Sequence, residues 1–375
     1  MKRKPAARTK TLSVAERTTH AGKTRSTAAT ISIAPHESAF REVLDLIQRA
    51  RQRAFQAVNT ELIDLYWNVG ESISCRIASD GWGKSTIVSL ATYICRRDPN
   101  TRGFSAQNLW RMRQFYETYS DQPKLSTLLR ELSWSHNMLI INRSKRLEER
   151  EFYLRMATRE QWSYRNLERQ FNASLFERAV LSPPKVAAAL RQSHPEAADI
   201  FKDAYVVEFL QLPDGHLEAD LHRGLLAKLK EFLIELGRDF AFVGSEYPIQ
   251  VGGQDFSLDL LFFNRALNCL VAFDLKIKRF EPEHLGKMQF YLEALDRDVK
   301  KPHERPSIGV ILCATKDNEV VEYALSRSLS PALIAEYQTA LPDKQLLQRK
   351  LHEFYQLALP AMKQAKTKSR KPRRP

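Results

Sequence analysis

Cysteine is scarce in this chain and is never paired in sequence. Four of the 375 residues are Cys, and Cys75, Cys95, Cys269 and Cys313 stand far apart with no CxxC spacing. That pattern argues against a zinc site or a disulfide framework and fits reduced residues in a cytoplasmic protein. Long apolar runs are missing too. The longest, 308–314, has the length of a strand, far below the ~18–20 residues that span a bilayer, so no membrane partner is expected. The N-terminal segment has no apolar h-region, which argues against secretion. Its Arg, Ser and Thr content has the composition of a transit peptide but not the amphipathic helix. Gly83-Lys84-Ser85-Thr86 lacks the rest of a phosphate-binding loop: Ala78 stands where a glycine is required, and no strand precedes it. His136, His222 and His284 form no spaced ligand set, and no Ser-His-Asp arrangement is readable.

Acidic residues are absent where basic ones gather. Residues 1–36 hold eight Lys/Arg against Glu16, and residues 361–375 hold seven against no acid. Each arm therefore carries +7, the two together account for the whole net charge of +14, and the body from 37 to 360 is formally neutral. The arms lack apolar periodicity and read as disordered tails. Either they add salt-sensitive affinity for phosphate backbones, or they are solvated tails with no dedicated role.

Strand signals are nearly absent from the first half. Apolar positions at mixed 3- and 4-residue spacing predict an all-α domain over 37–182. Its helices fall at about 86–97 and 106–119, with Ser105 as an N-cap, and then in a series to 178. Residues 183–198 read as a linker, because Ser182-Pro183-Pro184 and His194-Pro195 interrupt the pattern. From 199 to 357 the order becomes α-β-β-β-α-β-α: a helix over 220–236 ending at Gly237, strands over 240–250, 256–263 and 268–276, a helix over 282–295, a strand over 307–314 and a helix over 318–328. Gly252-Gly253 and Asn264-Arg265 mark the first two strand connections as hairpins.

Strand alternation puts Asp274 and Lys276 on one face. They stand at the end of an otherwise apolar strand, where charge is costly unless it is paired or metal-bound. With a turn over 264–267, Phe263 faces Asn268 and Asp259 faces Ala272, which makes Asp259 the diagonal neighbour of Asp274 on the same face. A slip of one residue would reverse that face. Two carboxylates, a strand carbonyl and waters suit Mg²⁺ or Mn²⁺, and Lys276 is placed to stabilise charge developing on a phosphate. The plain alternative is an Asp–Lys ion pair at a strand end. Glu246 reads as facing Leu261, either as a supporting carboxylate or as a polar strand residue. Lys287 and Tyr291 share a helix face, able to reach a phosphate or simply solvated and core. In the helical domain, Gln107, Asn108, Arg111 and Arg113 of the 106–119 helix would face nucleic acid if helices 86–97 and 106–119 form a winged-helix-like pair. The alternative there is a protein-docking surface.

The stretches "FVGSEYPIQVGGQDFSLDLLFFNRALNCLVAFDLKIKRFEPEHLGKMQFYLEALDRDVKKP" and "IGVILCATKDNEVVEYALS" resemble the PDDEXK nuclease domain of YhcG-type bacterial proteins, over about 199–356. "LYWNVGESIS", "GFSAQNLWRMRQFYETY" and "EREFYLRMA" resemble that family's N-terminal domain. The resemblance implies a restriction-endonuclease-like fold and a metal-dependent nuclease acting on DNA, with Asp259, Asp274 and Lys276 at the D…(D/E)xK positions. It also implies a Q-x-x-x-Y helix, of which this chain keeps Tyr291 but has Lys287 in place of Gln. The acid that many such nucleases carry on the first helix has no counterpart at His222, although Glu218 and Asp220 lie near. The competing expectation is a non-catalytic nucleic-acid-binding or protein-docking subunit of a defence or restriction complex.

Overall fold

The computed structural model describes residues 37–369, with side chains for 40–356. The N-terminal arm, and the C-terminal arm beyond 369, lie outside the described residues. Two compact units divide the chain, Met1–Phe55 and Gln56–Pro375. The described part of the first is the opening of helix α1 (Glu37–Asp80), on which Val43, Leu44, Leu46 and Ile47 are exposed.

The second unit begins with the rest of α1, then α2 (Lys84–Arg97), α3 (Ala106–Tyr119), α4 (Ser126–Glu131), α5 (Trp134–Arg143), α6 (Leu147–Arg159), α7 (Tyr164–Asn172) and α8 (Leu175–Leu181). Ser105 caps α3 by accepting the Asn108 N–H at 3.3 Å. α3 serves two cores. Leu109 and Met112 join Tyr66, Ile73 and Ile87 in a small one, while Phe115 and Tyr119 enter a larger one with Leu139, Tyr153 and Phe171. Among the described residues no strand occurs before Ala204, so the α2–α3 pair has no wing and belongs to a purely helical region. Residues 183–198 are packed: Val186, Ala187, Leu190 and Ala197 join the core of the sheet domain, around α9 (Ala188–Ser193) and α10 (Ala197–Ile200).

The helix expected over 220–236 is two, α11 (Glu218–Ala227) and α12 (Leu229–Leu236), broken at Lys228 (φ −116°, ψ 34°). Their apolar faces serve different strands. α11 packs on β4 (Cys269–Arg279), and α12 packs on β1 (Ala204–Val206) and β2 (Phe240–Val251). The sheet also holds β3 (Gln254–Asn264), β5 (Ile308–Thr315) and β6 (Ala332–Gln338), in the order β1-β6-β5-β4-β3-β2. Strands β4, β5, β6 and β1 are mutually parallel, and the β2-β3-β4 meander is antiparallel. Parallel strands need crossovers; α13 (Glu283–Ala294) and α14 (Asn318–Ser326) supply them. The chain closes in α15 (Lys344–Ser369), a helix where a structureless tail was expected from 358.

Both hairpin registers differ from expectation by two residues. Asn264 pairs with Cys269 and Phe263 with Leu270. The turn is set by Asn264, whose Oδ1 accepts the Leu267 N–H at 2.9 Å, and by Asn268, which takes the left-handed conformation (φ 52°) that Asn tolerates. Across the other turn Val251 pairs with Gln254, because Gly252 and Gly253 both sit at positive φ (59° and 76°) and close a two-residue loop. A slip of two preserves the face of every side chain.

Candidate active site

The β3–β4 ladder ends at Leu260 and Phe273; extending that register by one step sets Asp259 across from Asp274, where a diagonal relation was expected. Ser245 pairs with Leu260 and Tyr247 with Leu258, which sets Glu246 opposite Asp259. The meander thus carries three acids in one row, one per strand. The row is irregular at both joints. Glu246 has φ 45°, left-handed in mid-strand, a conformation that costs a non-glycine residue free energy. The Asp259 Oδ2 accepts the Leu275 N–H at 2.6 Å, replacing a ladder bond with a side-chain one.

Asp274 is the centre of charge. Its side chain is 1 % exposed, with Lys276 Nζ 2.8 Å from Oδ2 and Lys287 Nζ 3.1 Å from Oδ1. Lys276 also donates to the Leu275 carbonyl at 2.8 Å. The Lys276 contact with Asp274 is an ion pair without hydrogen-bond alignment: Oδ2 is buried and makes no aligned hydrogen bond. Burial pulls Lys287 down, but the Asp274 charge and the hydrogen bond between them outweigh it and hold the ammonium at about 12. For Asp259, burial is the main cause that raises its pKa. The Leu275 N–H works against that, and the neighbouring Asp274 charge adds to it.

The other residues singled out from sequence are distributed unevenly. The structure brings Asp259, Asp274, Lys276 and Lys287 together. Tyr291 is one turn along α13 from Lys287, and its OH donates to the Ser257 carbonyl at 2.8 Å, so it fastens α13 to β3. Glu246 is exposed at the rim of the row. On α3, Gln107 and Arg111 are exposed, whereas Asn108 and Arg113 are half-buried and bonded to neighbouring groups. Asn108 donates to the Gly103 carbonyl and accepts from Trp134 Nε1. Arg113 pairs with Glu117 at 2.7 Å and stacks over Trp110. Of the four residues expected to face nucleic acid, Gln107 and Arg111 are the two with exposed side chains.

His222, set aside in the sequence, is part of the site. From α11 its Nε2–H donates to the Asp259 carbonyl at 3.2 Å. Near it on the same helix, Asp220 is engaged in capping its own helix by accepting the Leu217 N–H at 3.1 Å. A cavity of about 530 Å³, lined by Trp162, Arg178, Lys202, Glu235 and Phe240, contains no residue of the acid row.

A divalent ion fits the row by its donors. Asp259 and Asp274 lie at the same end of neighbouring strands, Asp274 Oδ2 has no aligned hydrogen bond, and the Leu275 carbonyl follows Asp274 directly in the chain. Among the described residues no group of three His, Cys, Asp or Glu side chains is placed to hold a metal. The set therefore suits a hard ion held by one or two carboxylates with substrate phosphate and water, as for Mg²⁺, and not a closed zinc site.

Residues 198–352 match the YhcG PDDEXK nuclease domain, and residues 42–178 match the DUF1016 N-terminal domain. The Escherichia coli (strain K12) protein described as "Putative nuclease YhcG" is 33% identical over 342 residues, covering 81% of this chain and 90% of that protein. Among solved structures, a repair endonuclease from Pyrococcus abyssi overlays with TM-score 0.24 at 14% identity, over 35% of this chain and 50% of the other. An EndoMS–dsDNA complex overlays with TM-score 0.23 at 15% identity, over 36% and 50%. The chain thus spans about half the length of these two structures. No described helix is long and apolar enough to cross a membrane. The chain belongs to the YhcG family of PDDEXK nuclease-domain proteins.

Proposed function

We propose that this protein hydrolyses phosphodiester bonds in DNA with Mg²⁺ or Mn²⁺, using Asp259, Asp274 and Lys276. The observation that carries the reading is the gathering of Asp259, Asp274 and Lys276 at the end of the β3–β4 hairpin, with Asp259 bonded to the Leu275 N–H and Lys276 paired with Asp274. Asp259, Asp274 and the Leu275 carbonyl would hold the ion. When bound, it supplies Lewis-acid polarisation of the phosphate and lowers the pKa of a water. Asp259 is kept in place at both ends, its carboxylate by the Leu275 N–H and its backbone by His222. Lys276, 15 % exposed, is held against the row and presents fixed positive charge where the phosphate becomes more negative. Lys287, 48 % exposed, is free to leave Asp274 for an incoming phosphate. The helical region positions the substrate.

A second reading has its own observation. Two ammonium groups already neutralise Asp274, which a non-catalytic nucleic-acid-binding or docking module would also require. The deciding experiment is a Mg²⁺-dependent cleavage assay on supercoiled, linear and single-stranded DNA and on RNA, comparing wild type with Asp274→Asn and Lys276→Ala. Cleavage by wild type alone supports the enzyme. A Lys276→Ala protein that cuts at the wild-type rate sinks the assignment.

A further inference from the structure

The body of the chain is neutral, but one stretch of it is not. Between Asp80 and Glu117 the chain holds Lys84, Arg96, Arg97, Arg102, Arg111 and Arg113 against the single acid Asp98. Asp98 is exposed and keeps its charge, but its carboxylate is engaged locally. It accepts the Thr101 hydroxyl and, at 3.2 Å, the Asn100 N–H, closing the turn that follows α2. The α2 helix packs through Ile87, Leu90, Ala91 and Ile94 and exposes Ser85, Val88, Ser89, Thr92, Tyr93, Arg96 and Arg97. Its outward side carries hydroxyls, arginines and one aromatic ring, with no carboxylate.

Helix stability does not account for this composition. Arg96 and Arg97 in the last turn complement the helix dipole, but Lys84 in the first turn opposes it. Val88 and Tyr93 are 54% and 59% exposed, so they contribute little to the core. Tyr93 is one turn from Arg97, and the Asp98–Thr101 turn brings Arg102 after the same helix end. A bare aromatic ring among arginines is the arrangement that binds nucleic acid by backbone charge and base stacking.

We propose that the outward face of α2, with Arg96, Arg97 and Arg102, grips a nucleic-acid phosphate backbone while Tyr93 stacks an unpaired base. The proposal rests on the nucleic-acid reading above and replaces α3 with α2 as the helical contact.

The test uses the full chain carrying Asp274→Asn, without divalent ions, and labelled single-stranded and duplex DNA oligonucleotides followed by anisotropy across a salt series. Arg96→Ala/Arg97→Ala should lower the slope of log K against log salt by roughly 1.5–2 units. Tyr93→Ala should weaken single-strand binding on the order of tenfold, leave duplex binding nearly unchanged, and be rescued by Tyr93→Phe. These positions are exposed, and unchanged melting temperatures would confirm that the fold is kept. If the Asp274→Asn chain binds no oligonucleotide, the nucleic-acid reading fails and takes the proposal with it. If it binds but the α2 variants leave slope and affinity unchanged, the proposal alone is overturned. Competition by polyglutamate as strong as by oligonucleotide would also overturn it, in favour of an acidic protein partner.

Discussion

Lys287 Nζ stands 3.1 Å from Asp274 Oδ1, on the opposite oxygen from the one that faces Lys276. The two lysines are not equivalent. Lys276 is 15 % exposed and tied to the Leu275 carbonyl, whereas Lys287 is 48 % exposed and reaches in from α13. The inner lysine is fixed and the outer one is movable. A divalent ion at Asp274 would compete with the outer one first.

This asymmetry separates two substitutions. Lys276→Ala should reduce cleavage by about 10²-fold or more, as expected for loss of a preorganised charge at the phosphate. Lys287→Gln should retain cleavage and lower the Mg²⁺ concentration for half-maximal rate, because a competing cation has left the carboxylate. Metal titrations of kcat for both variants check this. A higher metal requirement in Lys287→Gln would show that Lys287 is not a competitor.

The legible part of the site was legible because strand alternation survives an error of two residues. The hairpin register expected from the turn was wrong by two, yet Asp259, Asp274 and Lys276 kept their common face. What local pattern could not show came from distant partners. Asn108 and Arg113 look like a reading face on a helical wheel, but Trp134, 26 residues on, claims Asn108. His222 meets a backbone carbonyl 37 residues away, which no spacing rule reports. β6 is buried along most of its length and lacks the alternation that marks a strand, and β1 has three residues. Both complete the sheet without a sequence signal of their own.

Asp259 should trade stability for function. Burial is the main cause that raises its pKa, so its charged form is disfavoured in the fold. The folded state then binds the proton more tightly than the unfolded one, and stability falls as pH rises through the folded pKa. Asp259→Asn should therefore abolish cleavage and raise stability by about 1 kcal/mol at neutral pH. The gain should vanish below about pH 4, where the carboxyl is protonated in both states. Urea midpoints at pH 7 and pH 3.5, measured without metal, decide it.

The helical region and the sheet domain share a buried ion cluster with the opposite pH behaviour. Arg169 of α7 bonds Glu235 at 2.8 Å and both oxygens of Glu208 at 2.9 Å, and Lys202 meets Glu235 at 3.1 Å. Burial pushes Glu235 up, but Lys202, Arg169 and Arg178 together bring it down to about 2. Its stabilisation is then complete above the ordinary value of 4.5 and is lost as pH falls toward 2. Glu235→Ala should cost about 3–5 kcal/mol at pH 7, since it leaves buried cations unpaired. The gap between variant and wild type should narrow as pH falls through that window. A constant gap would place the cost in packing.

Gly70 of α1 fixes how closely that helix approaches α3. A Cβ there would lie 2.2 Å from the Met112 carbonyl oxygen, 2.6 Å from its carbon and 3.1 Å from Tyr116 Cβ. The first two are backbone atoms, which cannot rotate away as a side-chain tip would. Gly70→Ala must separate the helices around the core of Tyr66, Ile73, Ile87, Leu109 and Met112, on which α2 also packs. Overpacking of this kind costs about 1–3 kcal/mol, against a helix-propensity gain of about 0.5–1 kcal/mol for the same change. Gly286 in α13 is the control: a Cβ there meets nothing within 4 Å, so Gly286→Ala should stabilise by about that propensity gain. Paired melting curves check both signs. A Gly70→Ala protein as stable as wild type would mean that α1 and α3 do not approach as closely in solution.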